Sequence, residues 1–183
     1  YIFDAGSGGL GHTGLQLTWD HRINLFDWRN DNGGKNFDVL SHADAIADTE
    51  WHNVVVSFDS TQPDPSARAR MFVDGVEVSY DGASLQPSHG QQTHINAGGL
   101  AKIGGAAGQD NYYTLSASLA DLHFVDGQAL DPDSFGENAD GAWQAIDTVG
   151  IAHGASGYHL NFADPANPGA DVSGNGYAAA TLN

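Results

Sequence analysis

Trp51-His52-Asn53-Val54-Val55-Val56-Ser57-Phe58 is followed, after a loop, by Arg70-Met71-Phe72-Val73-Asp74-Gly75-Val76-Glu77-Val78-Ser79-Tyr80. In the first run His52, Val54, Val56 and Phe58 fall on one face. Trp51, Asn53, Val55 and Ser57 fall on the other, which is the period of a β-strand. The segment 59–67 carries Pro63 and Pro65 and reads as the loop between strands. Asp74-Gly75 sits between two alternating runs. It predicts a hairpin closed by a type I′ turn, in which both central residues need positive φ.

The same period recurs outward from this unit. Leu15, Leu17 and Trp19 alternate with polar residues, so Trp19 reads as a core side chain at the end of an apolar face. Further strands are expected around Ile23–Phe26, Thr93–Ala97, Leu100–Gly104, Tyr113–Val125 and Tyr158–Phe162. Asp131 to Phe135 suits one helical turn, with Asp131 as N-cap and Pro132 at the first helical position. No stretch sustains a 3.6-residue period. The 24 glycines are spread along the chain, as many short connections require. Short strands at roughly 8–12-residue spacing mean an all-β sandwich or barrel. The whole chain, 1–183, reads as one domain, with 164–183 a loop and terminal strand. Tyr1-Ile2-Phe3-Asp4 reads as the middle of a strand, so the natural chain is expected to start earlier.

Charge is scarce and one-sided: 23 Asp plus Glu against 6 Lys plus Arg, a net charge of −17. Such a surface repels nucleic acid and anionic membrane. It suits divalent cations, neutral sugars, high salt or a basic protein surface, and solubility alone is an equal reading. Cysteine is absent, which excludes disulfides, thiolate metal sites and a Cys nucleophile. No apolar run approaches the roughly 18 residues of a membrane-spanning helix.

Two stretches carry a resemblance. Trp51-His52-x-Val54, a loop, and a strand ending in Asp74-Gly75 resemble the central signature of laminin-G-like, concanavalin A-like domains. Leu119-Ala-Asp-Leu-His-Phe-Val-Asp-Gly-Gln-Ala-Leu130, followed by Asp131-Pro-Asp-Ser-Phe-Gly-Glu137, is similar to a module of tailed-bacteriophage structural proteins. Gly157-Tyr-His-Leu-Asn-Phe162 and Asp171-Val-Ser-Gly-Asn-Gly176 follow in that module's order. The resemblance covers about Tyr1 to Tyr177. It implies a two-sheet antiparallel jelly-roll sandwich, lacking the first strand such modules carry before the equivalent of Tyr1. A partner chain would then complete the open edge by strand addition. Tyr177 stands where the module often has Trp.

The resemblance also frames the chemistry. Hydrolases of this superfamily place Glu-x-Asp-x-Glu along one strand, with two carboxylates flanking the sugar. Here Glu50, Glu77 and Glu137 are isolated, so no enzyme is expected. No Gly-x-Ser-x-Gly elbow occurs. The nine histidines form no His-x-His or His-x-x-x-His pair. His52, His123 and His159 read as hydrogen-bonded strand residues rather than metal ligands.

Calcium takes oxygen ligands from loops. Such domains often bind it at the sandwich rim, which implies Asp164, Asp171 and Asn175 as ligands here. The competing reading is an Asx turn closed by Asp171 and Asn175. A sugar needs a stacking aromatic with Asp or Asn to fix hydroxyls. Trp28, in a polar loop with Asp31 and Asn32, is the preferred platform; Tyr112, Tyr113 and Trp143 are further candidates, and a rim aromatic covering the core is the plainer reading.

The functional expectation is a non-enzymatic virion structural module: capsid decoration, head fibre or tail fibre. It would lie on the virion surface or outside cells, assemble with other subunits and contact host-surface glycan. The alternative is a secreted or surface calcium-dependent lectin-like module.

Overall fold

The computed structural model describes residues 1–7, 11–29, 33–95, 97, 99–107, 113–177 and 179. Among these residues twelve strands occur in chain order: β1 (Phe3–Ser7), β2 (Gly11–Leu17), β3 (Ile23–Arg29), β4 (Lys35–Leu40), β5 (Val54–Phe58) and β6 (Ala69–Val73). They continue with β7 (Val76–Glu77), β8 (Leu100–Ile103), β9 (Leu122–Phe124), β10 (Gly136–Ala139), β11 (Ala142–Ala145) and β12 (Tyr158–Leu160). Among the described residues, helix is confined to two short 3₁₀ turns, Pro65–Ala67 and Pro132–Ser134. The all-β expectation holds.

Where one domain was expected, the chain divides into two compact units. One comprises Tyr1–Ser116 and Asp131–Ile146, the other Ala117–Leu130 and Asp147–Asn183.

In the first unit β4-β3-β2-β1-β8 form an antiparallel sheet, and β5-β6-β7 form a second. Ile23, Leu25, Phe37 and Val39 of the first sheet bury against Ala69 and Met71 of the second, with Val54, Val56 and Phe58 packed beside them. Each fully buried Ile, Val, Phe or Met side chain contributes roughly 1.5–3 kcal/mol. The alternation of β5 holds, and the structure turns 54, 56 and 58 toward this core. Val55 is also buried, opposite Phe72 on the other face.

The Asp74-Gly75 hairpin forms as expected. Val73 pairs with Val76, and the two turn residues have φ of 49° and 78°. The Trp-His-x-Val signature acquires a cause here. The Asp74 carboxylate accepts the Asn53 N–H at 2.8 Å and His52 Nδ1 at 2.7 Å, while the Asp74 N–H donates to the Asn53 carbonyl. His52 Nε2 meets Asp48 at 2.8 Å. The histidine pins the hairpin tip to the start of β5.

The hydrogen bond to Asp74, and then the one to Asp48, raise the His52 pKa above its ordinary value despite partial burial. Because the folded value lies above the unfolded one, this stabilisation is complete below the unfolded pKa. It fades as pH rises through the folded value. His52→Gln is expected to cost about 1 kcal/mol at roughly pH 6 and distinctly less at about pH 9. Melting curves of both proteins at the two pH values check this; a gap that does not narrow argues against the clamp.

Several expectations need correction. Trp19 is not core. Leu17–Ile23 is the last β2–β3 pair; the Thr18 N–H donates to the Arg22 carbonyl and the Arg22 N–H to Thr18 Oγ1, which closes the hairpin and leaves Trp19 at its tip, 93% exposed. Trp28 lies in β3 rather than a loop. His52 precedes β5. Thr93–Ala97 forms no strand among its described residues, and of Tyr113–Val125 only Leu122–Phe124 does. β7 ends at Glu77, after which Tyr80 makes a single bridge to Ser41. Asp131 takes the N-cap position, but its side chain makes no capping bond and faces Arg70 instead. β1 lies between β2 and β8, so the sheet's outer strands are β4 and β8 rather than β1.

A second Asp-Gly hairpin, unread in the sequence, joins β10 to β11 through Asp140 and Gly141, with φ of 55° and 83°. The signal was the one that revealed the first.

Candidate functional site

The second unit is organised by two short strands and one carboxylate. β9 and β12 pair antiparallel, with His123 opposite His159. The His159 N–H points away from β9 and donates to Asp171 Oδ1 at 3.0 Å. The two histidines are therefore a non-hydrogen-bonded pair, the kind whose side chains stand closest. Their rings stack at 3.8 Å between centroids. The loop after Asp147 brings in His153, whose ring lies 5.4 Å from that of His123.

His123 Nδ1 and His153 Nε2 are 3.1 Å apart, and Asp121 Oδ1 meets His159 Nε2 at 2.5 Å. The second oxygen of Asp121 lies 3.6 Å from His123 Nε2. One ligand atom from each histidine lies within 4.8 Å of the other two. Burial, then the neighbouring His159, pushes the His123 imidazole down to about 4; burial also lowers His153. His123 and His153 thus favour the neutral imidazole, which carries a lone pair on one ring nitrogen.

The expected calcium loop is built differently from a cation cage. Asp171 accepts four protein hydrogens: from His159 N–H, Ser173 N–H, Ser173 Oγ and Tyr177 N–H, at 2.9–3.0 Å. Burial alone would raise its pKa, but these bonds outweigh burial and hold it at about 2. Asn175 donates through Nδ2 to the carbonyls of Gly154 and Gly157. Asp171 and Asn175 thus share one turn through Ser173, whose Oγ accepts the Asn175 N–H. Asp164 accepts its own loop's Ala166 N–H. Among the described residues, the only group of three or more His, Asp or Glu side chains with converging ligand atoms is the histidine trio, and it includes neither Asp164 nor Asp171.

Of the expected sugar platform, Trp28 is half-buried, with Lys35 Nζ 5.9 Å from its ring centre. Asp31, Asn32 and Tyr112 lie outside the described residues. Tyr113 is exposed and meets Tyr1 edge-on. Trp143 packs against the backbone of Gly75.

Two buried carboxylates were missed. Asp27 accepts Thr13 Oγ1, Asn36 Nδ2 and His94 Nδ1 at 2.5–2.8 Å. A register shift at Asp27/Trp28 makes Asn36 the extra residue of a β-bulge. Asp4 accepts the Ala107 N–H and faces His12. Each resembles half of a catalytic triad, but the Thr13 hydroxyl gives its proton to Asp27 and accepts the His94 N–H, so it is not activated by the imidazole. These networks tie loops to the sheet. Of the three glutamates, Glu77 is engaged by Arg70 and Tyr80.

No curated protein and no solved structure matches the chain. The family model of the concanavalin A-like lectin/glucanases superfamily matches residues 1–134, the stretch that holds the five-stranded and three-stranded sheets of the first unit. The chain belongs to the concanavalin A-like lectin/glucanase superfamily.

Proposed function

We propose that this chain is a non-enzymatic structural module of a tailed-bacteriophage particle, serving as capsid decoration, head fibre or tail fibre, and that it contacts host-surface glycan. The virion reading is supported by the run from Leu119 to Glu137 and by the later words around Gly157 and Asp171, in the order of the phage module. The contact reading is carried by one observation: Trp19 is almost fully exposed at the tip of a braced hairpin. Arg22 pairs with Asp20 at 2.6 Å and with Asp81 at 2.8 Å, which holds the turn that presents the ring. An indole fixed in water is an apolar face with little ordering entropy left to lose on binding. Carboxylates beside it can accept sugar hydroxyls.

Assembly partners fit β8, an outer strand of the five-stranded sheet among the described residues, where Leu100 is exposed. Such an edge accepts a strand from a neighbour.

The test is a glycan array probed with the wild-type chain and with Trp19→Ala. Binding to a defined neutral glycan that falls at least about tenfold in the variant supports the contact. Wild-type binding that the variant retains removes Trp19, and an array without a binder sinks the glycan reading. Antibodies to the chain that fail to label intact particles of the source phage would sink the virion reading.

A further inference from the structure

We propose that His123, His153 and His159 form a binding site for one divalent transition-metal ion of the zinc, cobalt or nickel kind. The site lies in the second unit and is independent of the glycan and virion readings.

Three separate segments deliver the ligands: β9, the loop leading to β12, and β12 itself. The cross-strand pairing of His123 with His159 fixes two of them on one face of the ribbon. The third is held by backbone bonds: the His153 carbonyl accepts the Asp126 N–H at 2.8 Å. The same turn is braced by Gln128 on the Ala152 carbonyl and by Asp126 on the Ser156 N–H. The Asp126-Gly127-Gln128 segment thus positions a histidine as well as shaping a turn.

The spacing fits the chemistry. In a tetrahedral ion with bonds of about 2.0–2.1 Å to nitrogen, adjacent ligand nitrogens stand roughly 3.3 Å apart. His123 Nδ1 and His153 Nε2 stand 3.1 Å apart. Imidazole donors favour zinc, nickel, copper and cobalt, whereas calcium and magnesium prefer oxygen. Asp121 supplies the carboxylate that metal-bound histidines commonly engage, through its contact with His159 Nε2. The three rings lie within 10–22° of parallel, so loading turns the His159 ring out of its stack to aim a lone pair at the ion. A bound ion cross-links β9, β12 and the intervening loop.

The experiment uses the full chain after chelator dialysis. Cobalt and zinc are titrated by visible absorption and calorimetry, and melting is followed with and without zinc. The expected result is saturation near one ion per chain, a higher Tm with zinc reversed by chelator, and no competition from calcium. His153→Gln and His159→Gln should each weaken zinc binding by at least about tenfold, and Asp121→Asn by roughly tenfold. His52→Gln should leave it unchanged. Since His153 is buried, imidazole nitrogen shifts in the wild-type chain provide a check without substitution: zinc should move the signals of these three histidines and not those of His12, His52 or His94. Absence of saturable binding, full affinity in the two histidine variants, or shifts at other histidines instead would overturn the proposal.

Discussion

Gly75→Val is expected to lower stability by about 3–5 kcal/mol and the melting temperature by roughly 10 °C. Two independent costs combine at this position. Gly75 has a φ of 78°, where a side chain carrying Cβ loses about 1–2 kcal/mol and a β-branched one more. The space is also taken: a Cβ at Gly75 would stand 2.2 Å from a ring carbon of Trp143. Forcing that ring aside adds about 1–3 kcal/mol. The costs separate in a double-mutant cycle. Trp143→Ala should recover the steric part of the Gly75→Val loss and none of the backbone part. Thermal unfolding of the four proteins reads this directly, and a Gly75→Val chain that melts with the wild type would show that the turn is misassigned.

Asp171→Ala is expected to have the next largest effect, about 2–4 kcal/mol of stability in the second unit. The substitution strands four donors at once, three backbone N–H groups and one hydroxyl. The pH dependence has a defined sign. The folded pKa, about 2, lies below the ordinary value of 3.8, so the contribution is complete above the ordinary value and is lost as pH falls toward 2. Partial solvent access limits this share to roughly 1–2 kcal/mol. Acid unfolding followed by circular dichroism should therefore begin at higher pH in the wild type than the remaining carboxylates dictate, and Asp171→Ala should flatten that limb. The destabilisation should be the same with calcium or with chelator. A calcium-dependent rise in Tm that the substitution abolishes would instead assign this carboxylate to a cation.

Asp171 and Trp19 show what residue type and period leave undecided. Residue type identified Asp171 and Asn175 as a pair, and the structure does bring them into one turn. What residue type leaves open is whether the oxygens face outward to an ion or inward to N–H groups. That depends on where His159 and Tyr177 put their backbone donors. Trp19 failed in the opposite direction. Its place at the end of an alternating run was sound as period, but the run ends at Leu17, and two residues later the chain is turning back.

By itself the sequence determined the all-β class, the pairing of β6 with β7 through Asp74-Gly75, and the alternation of β5. These follow from local rules: side-chain alternation and the φ values that Asp-Gly tolerates. It also determined that no thiolate ligand exists and that the chain is strongly acidic. Only the tertiary structure decided that His123, His153 and His159 share one place. They are 30 and 36 residues apart in the chain at their widest relation to His123, and no local period connects them. Their convergence depends on the register between β9 and β12, and a slip of one residue would turn His159 to the opposite face. Asp74-Gly75, so legible in the sequence, likewise concealed half its meaning. Its φ angles were readable, but the indole of Trp143 against Gly75, and the imidazole of His52 on Asp74, are contacts that only folding brings to it.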